Sequence, residues 1–312
     1  MKTIKGKQLL QGEWGLLLIL VVLCLVFSFL SATFSSLSNL LNITRQVSIV
    51  LIISIGMLCV VLCGEIDLSV GSTAALVGVG CAVTLKATGS LPLALLVTLV
   101  LSLAAGTVNG ALTVFGKIPS FIVTLASMWI IRGIALVWTS GRAVSGLPKG
   151  FAFLGAGHIG IIPVSTILCL LLILIAFFIL HQTRHGVYFR AIGSNLEASK
   201  LSAIPIKKYK MIAFIIAGLM SGIGGLITTS KLLSAQAIAN EGMEMDVLAA
   251  VILGGASLSG GIGTVIGTVL GALIIGVINN GMNQLGISAF YQQIVKGSII
   301  IIAVLVRRNK DK

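Results

Sequence analysis

Long apolar runs separated by short polar or Gly/Pro-rich punctuation set the pattern of this 312-residue chain. Several runs approach or exceed the roughly 18 to 20 residues needed to cross a hydrocarbon core about 30 Å thick. Runs such as "STILCLLLILIAFFIL" (165–180) show no alternation of period two, so the expected element is a membrane helix, not a barrel strand. Splitting the runs at their punctuation predicts ten spans: 14–32, 46–63, 69–87, 91–114, 119–139, 161–181, 210–230, 246–259, 262–283 and 288–306. The run from Trp14 to Leu30 is longer than the apolar core of a signal peptide, about 7 to 15 residues, and is read as the first span.

Composition agrees and adds sidedness. With 57% hydrophobic and 9% charged residues, too little polar surface exists for a water-soluble domain. The net charge of +13 would suit a nucleic-acid partner if it formed a patch, but it does not. Lys2, Lys5 and Lys7 stand at the start, Arg184, Arg190, Lys200, Lys207, Lys208 and Lys210 in one loop, and Arg307, Arg308, Lys310 and Lys312 at the end. An even span count with basic tails puts both termini, the 116–120 turn and the 182–209 loop in the cytoplasm, and 140–160 and 231–245 outside. Fourteen of the 21 Lys and Arg then lie inside and five outside. No nucleic-acid partner is expected; the partner for most of the surface is the bilayer.

Enzyme signatures are missing. "GASLSGGIGT" (255–264) is glycine-rich like a phosphate loop but lacks the Lys-Ser/Thr that would touch phosphate and magnesium. His158, His181 and His185 lie in no hydrolase or metalloprotease motif. Cys24, Cys59, Cys63, Cys81 and Cys169 sit in apolar segments as small hydrophobes, and no metal set is expected.

The chain echoes itself. "GTVNGAL" (106–112) returns as "GTVLGAL" (267–273), and "GEIDLSVG" (64–71) returns as "GGASLSGG" (254–261). Paired repeats are typical of transport folds. The span count gives the echoed segments the same orientation, whereas an inverted repeat would need one of them to be re-entrant. Gly263, Gly267 and Gly271, and likewise Gly106 and Gly110, recur every four residues and predict close helix packing.

Polar groups within or at the ends of spans are the candidates for a pathway or gate: Asp67, Ser69, Asn109, Arg132, Asn279, Asn280, Asn283 and Lys296. A charge within a span needs a partner, so Asp67 is expected to pair with Arg132 or Lys296. Glu241, Glu244 and Asp246 form an outer acidic cluster. In the cytoplasmic loop, "SNLEASKLSAI" (194–204) opens on cap residues, closes at Pro205, and predicts an amphipathic helix with Leu196, Leu201 and Ile204 on its apolar face.

Five ordered stretches, "GEIDLSVGS" (64–72), "IIRGIALVWTSGRAV" (130–144), "RAIGSNLEASKLSAIPI" (190–206), "MDVLAAVILGGASLSGG" (245–261) and "YQQIVKGSIIIIAVLV" (291–306), resemble the membrane permease of ribose-type ABC importers, a branch that also serves xylose, arabinose, galactose, allose and autoinducer-2. The family shows Gly-Gly-Ile-Asp or Ser-Gly-Ile-Asp where this chain has Gly64-Glu65-Ile66-Asp67, so Glu65 is a departure. The resemblance implies an all-α polytopic fold in one transmembrane domain, 1–312, in a bacterial inner membrane. It implies a non-enzymatic subunit with no cofactor of its own, ATP and magnesium being bound by a partner ATPase. The other implied partners are a second permease copy, in a homodimer or a pair, and a periplasmic sugar-binding protein. It also maps the ATPase-coupling region onto Gly193, Ser194, Asn195, Glu197, Ala198 and Leu201. An ion-coupled secondary transporter is the competing class; it would share repeats and intramembrane charges but need no docking loop.

Overall fold

The computed structural model describes residues 12–308; the basic positions Lys2, Lys5, Lys7, Lys310 and Lys312 lie outside them. The chain folds into helices α1 (Glu13–Leu30), α2 (Leu37–Leu62), α3 (Val70–Thr88), α4 (Leu91–Val114), α5 (Ser120–Thr139), the short α6 (Phe153–Ala156), α7 (Val164–Gln182), α8 (Arg184–Ser194), α9 (Leu196–Leu201), α10 (Ile206–Leu232), α11 (Met243–Leu253), α12 (Val265–Gln284) and α13 (Ala289–Arg308). Among the described residues, α1 to α5, α7, α10 and α12 are each long and apolar enough to cross a membrane.

Local chemistry sets the ends. Ser36 caps α2 through the Asn39 amide at 3.3 Å, so α2 begins nine residues before the predicted 46, and its polar first turns find side-chain partners described below. α3 stops at Gly89 in the left-handed region (φ 65°), and Ser90 at once caps α4, whose first turn carries Pro92. The predicted span 246–259 is corrected: α11 has 11 residues, about 16 Å of helix, against a core of about 30 Å. Gly254 caps it, and residues 254–264 continue as irregular backbone in which Gly255, Gly260 and Gly261 take positive φ. Such backbone is tolerated only where protein satisfies its polar groups. The predicted 288–306 corresponds to α13.

α2 and α3 are buried along most of their length, whereas α1, α4, α5 and α7 turn apolar side chains outward, with Val137 80% exposed. In water that surface would be an aggregation hazard; against lipid tails it costs nothing.

Glycines set the helix directions by letting backbones meet. On α10, Ala217 and Met220 face Gly56 of α2 while Gly224 faces Ile53 and Ile49, so the two helices are antiparallel. α4 is likewise antiparallel to α10, with Gly110 on Met211, Gly106 on Phe214 and Ser102 on Gly222. α3 runs with α10, pairing Ala74 with Gly225 and Gly78 with Thr229. α12 runs against both α2 (Gly276 on Val47) and α11 (Gly254 beside Gly267, Ala250 beside Gly271).

The echoes therefore divide. "GEIDLSVG" and "GGASLSGG" each join a helix arriving at one end of the bundle to a helix leaving it, in the same sense. "GTVNGAL" and "GTVLGAL" lie on α4 and α12, which run in opposite directions, so the expectation of one orientation fails for that pair. Gly263 also leaves the predicted stripe, because it precedes α12 and packs beside Leu58 and Ala256.

The loops sort onto two ends. The 116–120 turn lies with the start of α10, where Lys207 sits 5.8 Å over the Phe115 ring. At the opposite end, 140–160 and 231–245 pair with each other through Val144↔Ala235 and Ser145↔Ser234. The sequence grouping of loops by side is the grouping found.

A side chain at Gly267 would collide with the Gly254 carbonyl, whereas one at Gly133 would meet nothing within 4 Å. Gly267→Leu should therefore force α12 from α11 and abolish the monodisperse species on size exclusion in detergent, while Gly133→Ala leaves it unchanged.

Candidate functional site

The two helix breaks meet. In the first, the Gly64 amide bonds Val61 O at 2.9 Å, and Gly64 takes φ 75°, a conformation that favours glycine, to turn the chain out of α2. Ser120 Oγ accepts from the Ile66 amide at 3.2 Å and Thr124 Oγ1 donates to Ile66 O at 3.2 Å, so the start of α5 clamps the turn. Glu65 forms an ion pair with Lys210 at the start of α10. Its departure from the family pattern thus has a partner, one the sequence reading had assigned only to the basic loop.

Asp67 is 2% exposed and closes the turn as an acceptor. Its Oδ1 accepts from the Ser69 amide at 2.8 Å and the Ser69 hydroxyl at 2.6 Å, and Asn109 Nδ2 donates to Ser69 Oγ at 2.8 Å. Asn109, from α4, thus joins its distant fellow candidates Ser69 and Asp67 in one buried chain, Asn109 to Ser69 to Asp67, at the root of α3. The expected ion pair of Asp67 with Arg132 or Lys296 is not made. Arg132 donates to Ala237 O at 2.5 Å and Ala239 O at 2.7 Å, pinning the 231–242 loop, and Lys296 pairs with Asp246 at 2.8 Å. The Ser69 amide and hydroxyl bond the Asp67 carboxylate where the argument from charge had required a cation.

The second break folds on itself, the Ser257 amide bonding Ile262 O at 2.9 Å and the Ser257 and Ser259 hydroxyls meeting at 2.8 Å. It joins the first break through the Gly261 amide, which donates to Leu62 O at 3.0 Å, and Gly64 lies against Ser259 and Gly260. Thr264 caps α12 through the Gly267 amide at 2.9 Å and donates to Glu13 at the start of α1 at 2.8 Å.

A second polar cluster lies at the opposite end. Asn280 and Asn39 exchange hydrogen bonds of 2.9 and 3.0 Å, and Gln284 donates to Asn39 at 2.8 Å, which binds α12 to α2. Asn279 and Lys296 converge on Asp246, and Asn283 accepts from Gln292 at 2.7 Å. Asn39 was missed because its polarity read as a span boundary. Glu244 was read only as part of the acidic cluster; it is 8% exposed, and its Oε2 lies without a hydrogen-bond partner over Gly71 at the start of α3. Nothing in spacing or composition separates it from Glu241.

The predicted docking helix is shorter than expected. Asn195 Oδ1 accepts from the Ala198 amide at 2.9 Å and starts α9 afresh, so 194–204 holds one six-residue helix. Leu201 is 91% exposed and Glu197 pairs with Lys200 at 2.6 Å, but Ile204 turns inward against the core. Ser194, Asn195 and Ala198 are exposed, whereas Gly193 faces the breaks.

Because Asn keeps an oxygen acceptor, Asp67→Asn should preserve both bonds from Ser69, whereas Asp67→Ala leaves the Ser69 donors unpaired. We expect thermal unfolding in detergent to show little change for Asp67→Asn and a loss of about 2 kcal/mol for Asp67→Ala. Equal losses would mean that the charge, not the turn, is what the fold needs.

The sequence has counterparts among known proteins. Residues 39–304 match the family described as "Branched-chain amino acid transport system / permease component". The chain is 39% identical to the ribose import permease of Escherichia coli (strain K12), over 99% of each chain, and 43% identical to that of Bacillus subtilis (strain 168), over 94% of this chain and 91% of the relative. It is 36% identical to the L-arabinose transport system permease of Escherichia coli (strain K12), over 96% and 92% respectively. No solved structure matches it significantly. Helices that break and meet within an apolar bundle, in a chain related over nearly its whole length to import permeases, make this protein a member of that permease family, in the branch of the ribose-type ABC importers.

Proposed function

We propose that this chain is the membrane-spanning subunit of an ATP-driven importer that carries a ribose-like monosaccharide into the cytoplasm. The observation that carries this reading is similarity over nearly the whole chain to relatives named for the import of ribose and the transport of arabinose, both pentoses. The chain has no phosphate-loop motif, so ATP and magnesium belong to a cytoplasmic ATPase partner. A second permease copy and a periplasmic sugar-binding protein complete the assembly.

Several features support this arrangement. The exposed α9, with Leu201 at its tip, lies at the end of the bundle that the charge bias makes cytoplasmic, and suits an ATPase groove. The basic positions at both ends of the chain make that side the home of both termini. Asp67, Ser69 and Asn109 at the first break, with Arg132, Asn279, Asn283 and Lys296 toward the other end, are the proposed pathway or gate groups. Amides and hydroxyls, which donate and accept, match a neutral polyol better than an ion. Asn280, satisfied by Asn39, acts as interhelical glue in this reading.

Reconstitution in proteoliposomes with ATPase and binding-protein partners should give ATP hydrolysis stimulated by sugar-loaded binding protein, and uptake that requires ATP. Uptake driven without ATP would overturn the importer reading in favour of a secondary transporter. In the same system Leu201→Asp should weaken ATPase binding about tenfold, read by co-purification and titration, without changing the permease's own unfolding temperature.

A further inference from the structure

We infer that Gly193 is a positioning residue through which the docking arm, α8 and α9, grips both helix breaks and moves them as one body; this rests on the importer reading above. Three backbones meet here with no side chain between them. A Cβ on Gly193 would fall on Leu62 O, on the Gly261 amide and on the Gly260 carbonyl carbon. One on Gly260 would fall on the Gly193 Cα and the Gly64 backbone, and one on Gly261 on Ser194. The Gly261 amide closes the node on Leu62 O at 3.0 Å.

The arm is built to transmit force. α8 buries Phe189 and Ile192, its Arg190 donates to Leu180 O at the end of α7 at 2.6 Å, and the Asn195 amide closes its last turn on Ala191 O at 3.0 Å. Beyond it, α9 is exposed for a partner. Side chains can absorb a displacement by changing rotamer, but packed backbones cannot, so a shift of α8 passes to both breaks undiminished. One break leads into α3 with its Asp67, Ser69 and Asn109 chain, and the other into α12, which carries Asn279 and Asn283. A single arm thus addresses both halves of the echoed pair.

The test uses the reconstituted complex of permease, ATPase and binding protein, read as sugar imported per ATP hydrolysed. In the complex that assembles, Gly193→Ala should lower the ratio about tenfold, while Gly133→Ala leaves it unchanged. An unchanged ratio, or uptake and hydrolysis falling in proportion, would overturn the inference. Should Gly193→Ala fail to assemble, hydrogen exchange on the wild-type complex decides. The Gly261 amide must stay protected in both nucleotide-free and ATP-bound states, and loss of protection in either means the node opens and cannot carry motion. ATP-independent uptake by the wild type overturns the importer reading itself, and is seen before any variant is made.

Discussion

The hydrogen bond from the Gly261 amide to Leu62 O is the point on which this architecture turns. A chain in lipid has no water to satisfy irregular backbone, so a helix can break only where protein supplies the missing partners. Here two breaks supply each other. The first uses its own Asp67 and the start of α5; the second folds back through Ser257 and Ile262; and each lies against the other without an intervening side chain. Glycine is needed at Gly64, Gly260 and Gly261 for their positive φ, and at Gly193 for the close approach.

Around that joint the charges are used sparingly. Among the described residues, the three ion pairs each tie one element to another or brace a single helix: Glu65 to Lys210, Asp246 to Lys296, Glu197 to Lys200. Asp67 and Arg132, the two charges that invited pairing, are instead satisfied by a turn and by loop carbonyls. Both solutions hold backbone in place, one at each end of the bundle. That division suits a transporter in which one end must dock a motor and the other must open to a solute.

The packing between helices follows the same economy. α10 meets α2, α3 and α4 at glycine and alanine positions, so the central helices approach closely around fully buried side chains such as Ile53, Met57 and Phe214. Close backbone approach gains van der Waals contact that lipid cannot match, which replaces the hydrophobic drive absent within a bilayer.

Sequence alone determined the helical membrane class, the approximate spans and the grouping of loops by side, because these follow from local composition, apolar run length and charge bias; the family resemblance rested on five ordered motifs. It also marked "GEIDLSVGS" and "GGASLSGG" as related interruptions. Tertiary structure decided what those interruptions do. That Glu65 meets Lys210 across 145 positions, that Asn39 holds Asn280, and that Asn109 of α4 reaches Asp67 through Ser69 depend on partners remote in the chain. A single sequence carries no record of which polar groups will find one another. Desolvation makes a buried polar group require a partner, but only the packed bundle chooses which.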